Sequence, residues 1–398
     1  MISDRGIRAA TLTLFLMGVT FAATLPYMSL IALNQLGMSP GAYSLLVAVS
    51  AVSNIVAVVS LGVLSDTLPD RRPIILVVSL VGAAGFGLFF LFPSVPLLYI
   101  SLLTFQPVSN SLFSLLFATV RARSSKLEPG AIAAVNANVR AVFSGAFILV
   151  PGLVGLFLAT RENMSDGFGI ASVAFLLCFL TYLLFAPRAD AAAAAVKRES
   201  FFTAVRSAAS ATVIVRIAAI AVVVSSHWAN AIVFPLIIVG MPDGTTVDVG
   251  LIAGGVAALE IPAMLAWGSL LKRRPAGLVI IFGALIFALY LVGLSFASEK
   301  WHLYLLMLPN AIGGAALLSV PLSYLQEMMD GRPGLGSSLL SLVTFGARGV
   351  SASVFALGTA AFSLGGTALI AAIVSTAGCV FLFLLDRPGS KAGQSQTV

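Results

Sequence analysis

Residues 54–73 read NIVAVVSLGVLSDTLPDRRP. An apolar run ends at Ser65 and Asp66, passes through a short turn closed by Arg71 and Arg72, and restarts at Pro73 with IILVVSLVGAAGFGLFFLF. Each side of the turn continues for the roughly 20 residues that a helix needs to cross a bilayer. The same alternation runs through the chain. Of its 398 residues 59% are hydrophobic and 9% charged, with a mean hydropathy of +1.07. A soluble domain carries about 25% charged residues. A chain with so little charge cannot clothe a soluble globule, which excludes a soluble enzyme, a nucleic-acid-binding module and a disordered chain. Twelve spans of 20 to 25 residues take roughly 240 to 300 positions, and the length fits an all-α polytopic membrane protein of twelve transmembrane helices.

The apolar runs predict helices over 7–33, 41–64, 73–92, 97–121, 131–158 and 167–186, then over 209–239, 247–271, 276–297, 301–327, 335–361 and 366–385. The first run is too long for a signal-peptide core and lacks an A-x-A cleavage pattern, so it reads as the first span. There are 22 Lys and Arg against 15 Asp and Glu, a net charge of +7. These basic residues lie in the loops between runs, where they report orientation and not an anionic partner. With the N-terminus inside, the cytoplasmic loops collect Arg5, Arg8, Arg71, Arg72, Arg121, Arg123, Lys272, Arg273 and Arg274 among others. The opposite loops hold only Arg161 and Lys300. Basic residues resist translocation, so both termini are expected in the cytoplasm of a bacterial-type inner membrane.

The longest polar stretch, PRADAAAAAVKRESFFTAVRSA at 187–208, divides the chain into a bundle at 1–186 and one at 209–398, the second ending in a short polar tail. Its alanines and spaced basic residues suggest an amphipathic helix on the inner membrane face. The halves echo each other. SNIVAVVSLGVLSD aligns with LEIPAMLAWGSLLK, which sets Asn54 opposite Glu260 and Gly62 opposite Gly268. Arg-Arg-Pro opens the next helix in both halves, at Arg71–Pro73 and Arg273–Pro275, and Pro-Gly opens the fifth and eleventh helices at Pro129 and Pro333. Two pseudo-symmetric six-helix bundles in parallel repeat are the plan of a rocking, alternating-access transporter.

The tract GVLSDTLPDRR resembles the signature loop of the major facilitator superfamily, G-x-L-[AS]-D followed by a basic pair. With Asp70 set before Arg71 and Arg72, it is similar to the sugar efflux transporter branch. NSLFSLLFATVRA, NVRAVFSGAFILVPG, LEIPAML and PNAIGGAALLSVPLSYLQEMMDGRPGLGSSL carry the same resemblance, which covers nearly all of the chain. It implies the major facilitator fold, proton-linked export of sugars or sugar-like glycosides, and a centre lined by the first, fourth, seventh and tenth helices.

Ionisable groups are costly in hydrocarbon, so each one kept there is a candidate for function. Glu260 is the acidic residue deep in a span; Arg140 and Arg348 are the basic ones, in the symmetry-related fifth and eleventh helices. Apolar surroundings favour a protonated carboxyl and a guanidinium alongside favours the ionised form. Glu260 is therefore expected to carry a coupling proton, with Arg348 or Arg140 as its alternating partner. A permanent Glu–Arg pair that locks helix packing is the other reading.

A sugar needs polar groups for its hydroxyls and an aromatic face, in a mostly apolar site. Gln106 and Asn110 share a face of the fourth helix at i and i+4. Ser225, Ser226, His227, Trp228 and Asn230 form a polar patch in the seventh. Thr24, Tyr27 and Asn310 complete the expected substrate set, although any one of these could equally be a helix-to-helix hydrogen bond. His227 could join a proton relay or stay neutral beside Trp228. Gly62, Asp66, Arg71 and Arg72 are the expected inner gate: Gly62 for close helix approach, Asp66 to pair with the basic residues.

Cys178 and Cys379, both in apolar runs, read as packing residues. The chain has no G-x-x-x-x-G-K-[ST], no His/Cys metal cluster and no nucleophile elbow, so no enzyme activity, cofactor or metal is expected. The expected partners are a small-molecule substrate, protons and lipid, with no nucleic acid, and the chain is expected to act as a monomer. A multidrug efflux antiporter of the same superfamily is the alternative, favoured by 27 Phe but poorly matched by LVPGLVG in the fifth helix. A non-transporting membrane receptor or scaffold is a second alternative; it would need an appended soluble module.

Overall fold

The computed structural model describes residues 4–68, 70–124, 127–161, 163–187, 210–329 and 333–387. Among these there are twelve helices long and apolar enough to cross a membrane and no strand. They are α1 (Arg5–Gln35), α2 (Pro40–Thr67), α3 (Arg72–Leu91), α4 (Val95–Ser124), α5 (Pro129–Leu158) and α6 (Asp166–Phe185). Then come α7 (Ala211–Gly240), α8 (Thr246–Leu271), α9 (Ala276–Ser295), α10 (Lys300–Met328), α11 (Pro333–Ala361) and α12 (Leu364–Leu385). Lipid offers no hydrogen bonds, so each segment must satisfy its backbone within itself, and an apolar run of this length has only the helix available. The linker proposed at 187–208 lies, from 188 onward, outside the described residues.

Helix ends follow local chemistry. Asp4 Oδ1 accepts from the Ile7 amide at 2.8 Å to start α1, and Ser39, Ser210 and Ser363 cap α2, α7 and α12 in the same way. Each leaves one fewer unpaired N–H at a helix start. At α10 the cap is reciprocal: the Glu299 side chain accepts from the helix backbone, and the His302 side chain accepts from the Glu299 amide. Prolines inside α5, α7, α8 and α10 (Pro151, Pro235, Pro262, Pro309 and Pro321) do not end these helices. Two irregularities have no counterpart in the hydropathy pattern: π-helical turns at Ile31–Gln35 in α1 and Ser101–Phe105 in α4. Such turns insert a residue and rotate the face of the helix that follows; the second stands immediately before Gln106.

The chain falls into two compact units. One holds α1–α6 with Thr245–Gly254, the opening turns of α8; the other holds α7, the rest of α8 and α9–α12. In the first unit α1 packs on α4, α5 and α6, and α3 on α4 and α6; in the second, α7 packs on α10, α11 and α12, and α9 on α10 and α12. The pairings match when six is added to each helix number, so the sequence repeat is also a repeat of packing. Lipid tails are as apolar as the side chains, and close packing and interhelical hydrogen bonds are what bring the helices together. The α3–α6 seam is aromatic, with Phe86 stacked on Phe175 at 5.5 Å between centroids and Phe89 against Phe168 at 4.4 Å. Outward faces carry exposed Leu45, Val56, Leu149, Leu184, Leu265, Leu289, Leu305 and Leu357, an apolar coat suited to acyl chains.

At the end of each unit where basic residues cluster, polar clasps join helix termini. In the first, Arg123 pairs with Asp4 at 3.2 Å, and the Arg72 guanidinium donates to the Leu183 carbonyl at 2.6 Å. In the second, Arg216 pairs with Asp386 at 3.5 Å and donates to the Leu385 carbonyl, while the Tyr324 hydroxyl donates to Asp386. A guanidinium thus closes the carbonyl end of the sixth helix of both repeats.

Candidate functional site

In the second unit, Glu260 on α8 lies against α10 at a glycine. The point where a Cβ on Gly314 would stand is 2.9 Å from Glu260 Oε1, 3.7 Å from Phe287 Cε2 and 3.8 Å from Asn310 Oδ1. The missing side chain is what admits the carboxylate between α8, α9 and α10. Glu260 forms no ion pair among the described residues. From Phe287 the cluster extends to α7: the His227 ring lies 5.7 Å from Phe287 and 6.1 Å from Trp228. His227 Nδ1 is buried with no hydrogen-bond partner among the described residues. The Arg348 guanidinium of α11 stands 4.3 Å over the Trp228 ring, the geometry of a cation–π contact. Glu260, Asn310, His227, Trp228 and Arg348 are therefore neighbours through shared aromatic partners, with Arg348 held by Trp228 and not by the carboxylate.

Asn230 accepts at Oδ1 from the buried Tyr290 hydroxyl at 2.9 Å and ties α7 to α9. In the first unit Tyr27 donates to the Pro151 carbonyl at 2.7 Å and ties α1 to α5, while Thr24 donates back to Thr20 within its own helix. These three polar groups are committed to helix packing in this structure. Gln106 and Asn110 are not. Asn110 Nδ2 donates to Asn54 Oδ1 of α2 at 2.8 Å, but Asn110 Oδ1 and Gln106 Nε2 are buried without hydrogen-bond partners among the described residues. Arg140 lies exposed on α5, 6.0 Å from the Phe117 centroid.

The gate residues are only partly assembled. The Asp66 side chain lies outside the described residues. Asp70 Oδ1 accepts from the Arg72 amide at 2.9 Å, and the Arg72 guanidinium is turned to Leu183. A Cβ on Gly62 would meet nothing within 4 Å, nor would one on Gly268, so neither glycine makes the close helix approach expected of Gly62. The tight crossings lie elsewhere. A Cβ on Gly313 would stand 2.6 Å from the Phe287 amide nitrogen. Adjacent glycines of α10 thus answer differently to one methyl group. Gly313→Ala meets backbone that cannot yield and should destabilise the protein by about 1–3 kcal/mol, read as a lowered melting temperature in detergent. Gly314→Ala meets the flexible tip of Glu260 and should leave the melting temperature nearly unchanged while impairing transport.

Sequence reasoning had singled out Glu260 and Asn110 but not their seats, Gly314 and Asn54. For Asn54 a signal existed, because the internal repeat already set it opposite Glu260. The Gly314 contact had none, since it depends on which turn of α10 faces α8.

No protein-family model matches the chain. Over 338 residues it is 29% identical to a protein of Deinococcus radiodurans described as a sugar efflux transporter, covering 83% of this chain and 85% of that one. Sugar efflux transporter A of Escherichia coli is 27% identical over 346 residues, 84% of this chain and 85% of that one. The protein of the same name from Dickeya chrysanthemi is 28% identical over 336 residues, 83% of each. The chain belongs to the major facilitator superfamily, among the sugar efflux transporters. Solved structures bear out the fold: the nucleoside transporter NupG superposes with a TM-score of 0.79 over 96% of this chain and 100% of that one at 14% identity. A POT peptide transporter superposes at 0.76 over 98% and 95% at 15% identity. The protein is a membrane transporter and not an enzyme, and its substrate is a small molecule.

Proposed function

We propose that this transporter exports sugars or sugar-like glycosides across a bacterial inner membrane in exchange for protons, by alternating access of its two halves, with both termini cytoplasmic and one chain as the working unit. Glu260 carries the coupling proton, and Arg348 is the cation that alternates between the Trp228 ring and the carboxylate. The observation that carries this reading is the seat of Glu260: an acid without an ion pair, against Gly314, at the repeat position where the other half has the neutral Asn54. A carboxylate retained inside a span is costly unless its protonation is used, and its absence from the other repeat assigns coupling to one half.

Sugar as the substrate is supported by the relatives, whose names specify sugar efflux, and by the neutral amide face of α4. A lipophilic cation would call for a carboxylate there in place of Gln106 and Asn110. The basic loops support the orientation. A melting-temperature screen of purified protein against a panel of sugars, glycosides and lipophilic cations tests the substrate class, because a ligand that binds the native state raises its stability by mass action. Stabilisation by sugars or glycosides is expected; stabilisation by lipophilic cations alone would replace this reading with drug efflux.

A further inference from the structure

The amide pair between α2 and α4 is more specific than a polar patch. Asn110 gives its Nδ2 to Asn54 Oδ1 at 2.8 Å. That bond fixes which end of the Asn110 amide is engaged and leaves the oxygen, a pure acceptor, buried with no partner among the described residues. One turn earlier Gln106 has the opposite polarity: its Nε2, a pure donor, is buried and likewise without a partner. Residues at i and i+4 stand about 5–6 Å apart on a helix face. The α4 face therefore offers one acceptor and one donor in a fixed order, Gln106 giving and Asn110 receiving. The π-helical turn at Ser101–Phe105 directly precedes this pair and sets its rotation about the α4 axis.

Buried polar groups in folded proteins are nearly always satisfied, and two left over within one turn call for a partner that comes and goes. We infer that Asn54 is a positioning residue that orients the Asn110 amide, so that the Gln106–Asn110 face reads one hydroxyl as a donor and a neighbouring oxygen of the same ring as an acceptor. The ligand class is a neutral polyhydroxylated ring, a pyranose or its glycoside. An alkyl ether at the read hydroxyl keeps its oxygen and its acceptor character but loses the proton that Asn110 Oδ1 needs. The proposal rests on the sugar-transport reading and adds to it the polarity of recognition and a residue, Asn54, that does not itself touch the substrate.

The second repeat shows why Asn54 has this part. Its counterpart is Glu260, seated against α10 where Asn54 is seated against α4. One repeat uses the position for an acid and the other for a neutral amide, so proton coupling and hydroxyl recognition are divided between equivalent sites.

The test is the ratio of dissociation constants for a bound sugar and each of its mono-O-methyl ethers, measured on the full-length protein in detergent. In the wild type one of the ethers should bind about tenfold more weakly than the parent, the cost of leaving one buried acceptor unpaired. Asn54→Leu should reduce that ratio to about twofold or less, because a freed Asn110 amide can turn and offer either end. Asn54→Asp should restore it, since an aspartyl oxygen accepts from Asn110 Nδ2 whether or not the acid is protonated. Asn54→Ala, which only removes atoms, replaces Asn54→Leu if the larger side chain prevents folding. Sugar binding with the same ether ratio in Asn54→Leu and Asn54→Ala overturns the inference while leaving the transport reading intact. No sugar binding by the wild type overturns both.

Discussion

Glu260→Gln lowers proton-gradient-driven transport in proteoliposomes by about two orders of magnitude, while substrate counterflow, which needs no net proton movement, proceeds near the wild-type rate. Glutamine copies the shape of the protonated acid. It can occupy the seat beside Gly314, Asn310 and Phe287 and keep the packing of α8 on α10, but it cannot release a proton. If Glu260 were only a packing residue, the two activities would fall together or not at all. Retained gradient-driven transport would remove Glu260 from the mechanism, and loss of counterflow with loss of melting temperature would make it structural. Gly314→Ala should resemble Glu260→Gln more weakly, because the added methyl displaces the carboxyl oxygen without removing its proton.

Arg348→Gln should slow both transport modes by roughly 10- to 100-fold, the kinetic equivalent of about 1.4–2.8 kcal/mol. The guanidinium stands 4.3 Å over the Trp228 ring, in a desolvated setting where such a contact is worth about 2 kcal/mol. It is also the cation in the same unit as Glu260 that the mechanism can bring to the ionised carboxylate. Arg348→Lys should recover only part of the activity, since an ammonium lacks the planar face that stacks on an indole. Trp228 supplies its own readout, as one of three tryptophans in the chain. In a protein with Trp267 and Trp301 replaced by Phe, Arg348→Gln should shift the Trp228 emission. An unshifted spectrum with normal transport would contradict the role given to Arg348.

The fold was legible because the bilayer imposes a one-dimensional rule on sequence. An apolar run such as Ile74–Phe92, closed by charged or Pro-containing turns, has one acceptable conformation in lipid, and the helix observed at Arg72–Leu91 departs from the expected 73–92 by a residue at either end. The internal repeat was legible for a related reason: Arg-Arg-Pro and Pro-Gly mark helix entries at equal intervals, and packing follows them. The site was legible only by residue type. That Glu260 is alone among acids deep in a span is a property of sequence. That it rests on Gly314, that Arg348 covers Trp228, and that Tyr290 engages Asn230 depend on helix rotation and crossing depth, which hydropathy does not encode.

Gly62 illustrates the same limit in the other direction. A glycine in a signature loop suggested close approach, yet the tight crossings lie at Gly313 on Phe287 and at Gly283 on Ala316, where small residues meet on facing turns. The π-helical turn before Gln106 was invisible because SLLTFQPVSN is as apolar as a regular helix would be, and one inserted residue leaves the composition unchanged.

The claim on which the rest depends is that substrate and proton move in opposite directions through one protein, with Glu260 as the shared element. The direct measurement is substrate-evoked proton flux in proteoliposomes carrying a pH-sensitive dye. Adding a sugar that binds should produce a proton movement opposite to the sugar in wild-type vesicles and none in Glu260→Gln vesicles, with [14C]-sugar counterflow present in both. Sugar movement with no accompanying proton flux in the wild type, or an undiminished flux in Glu260→Gln, would contradict the account.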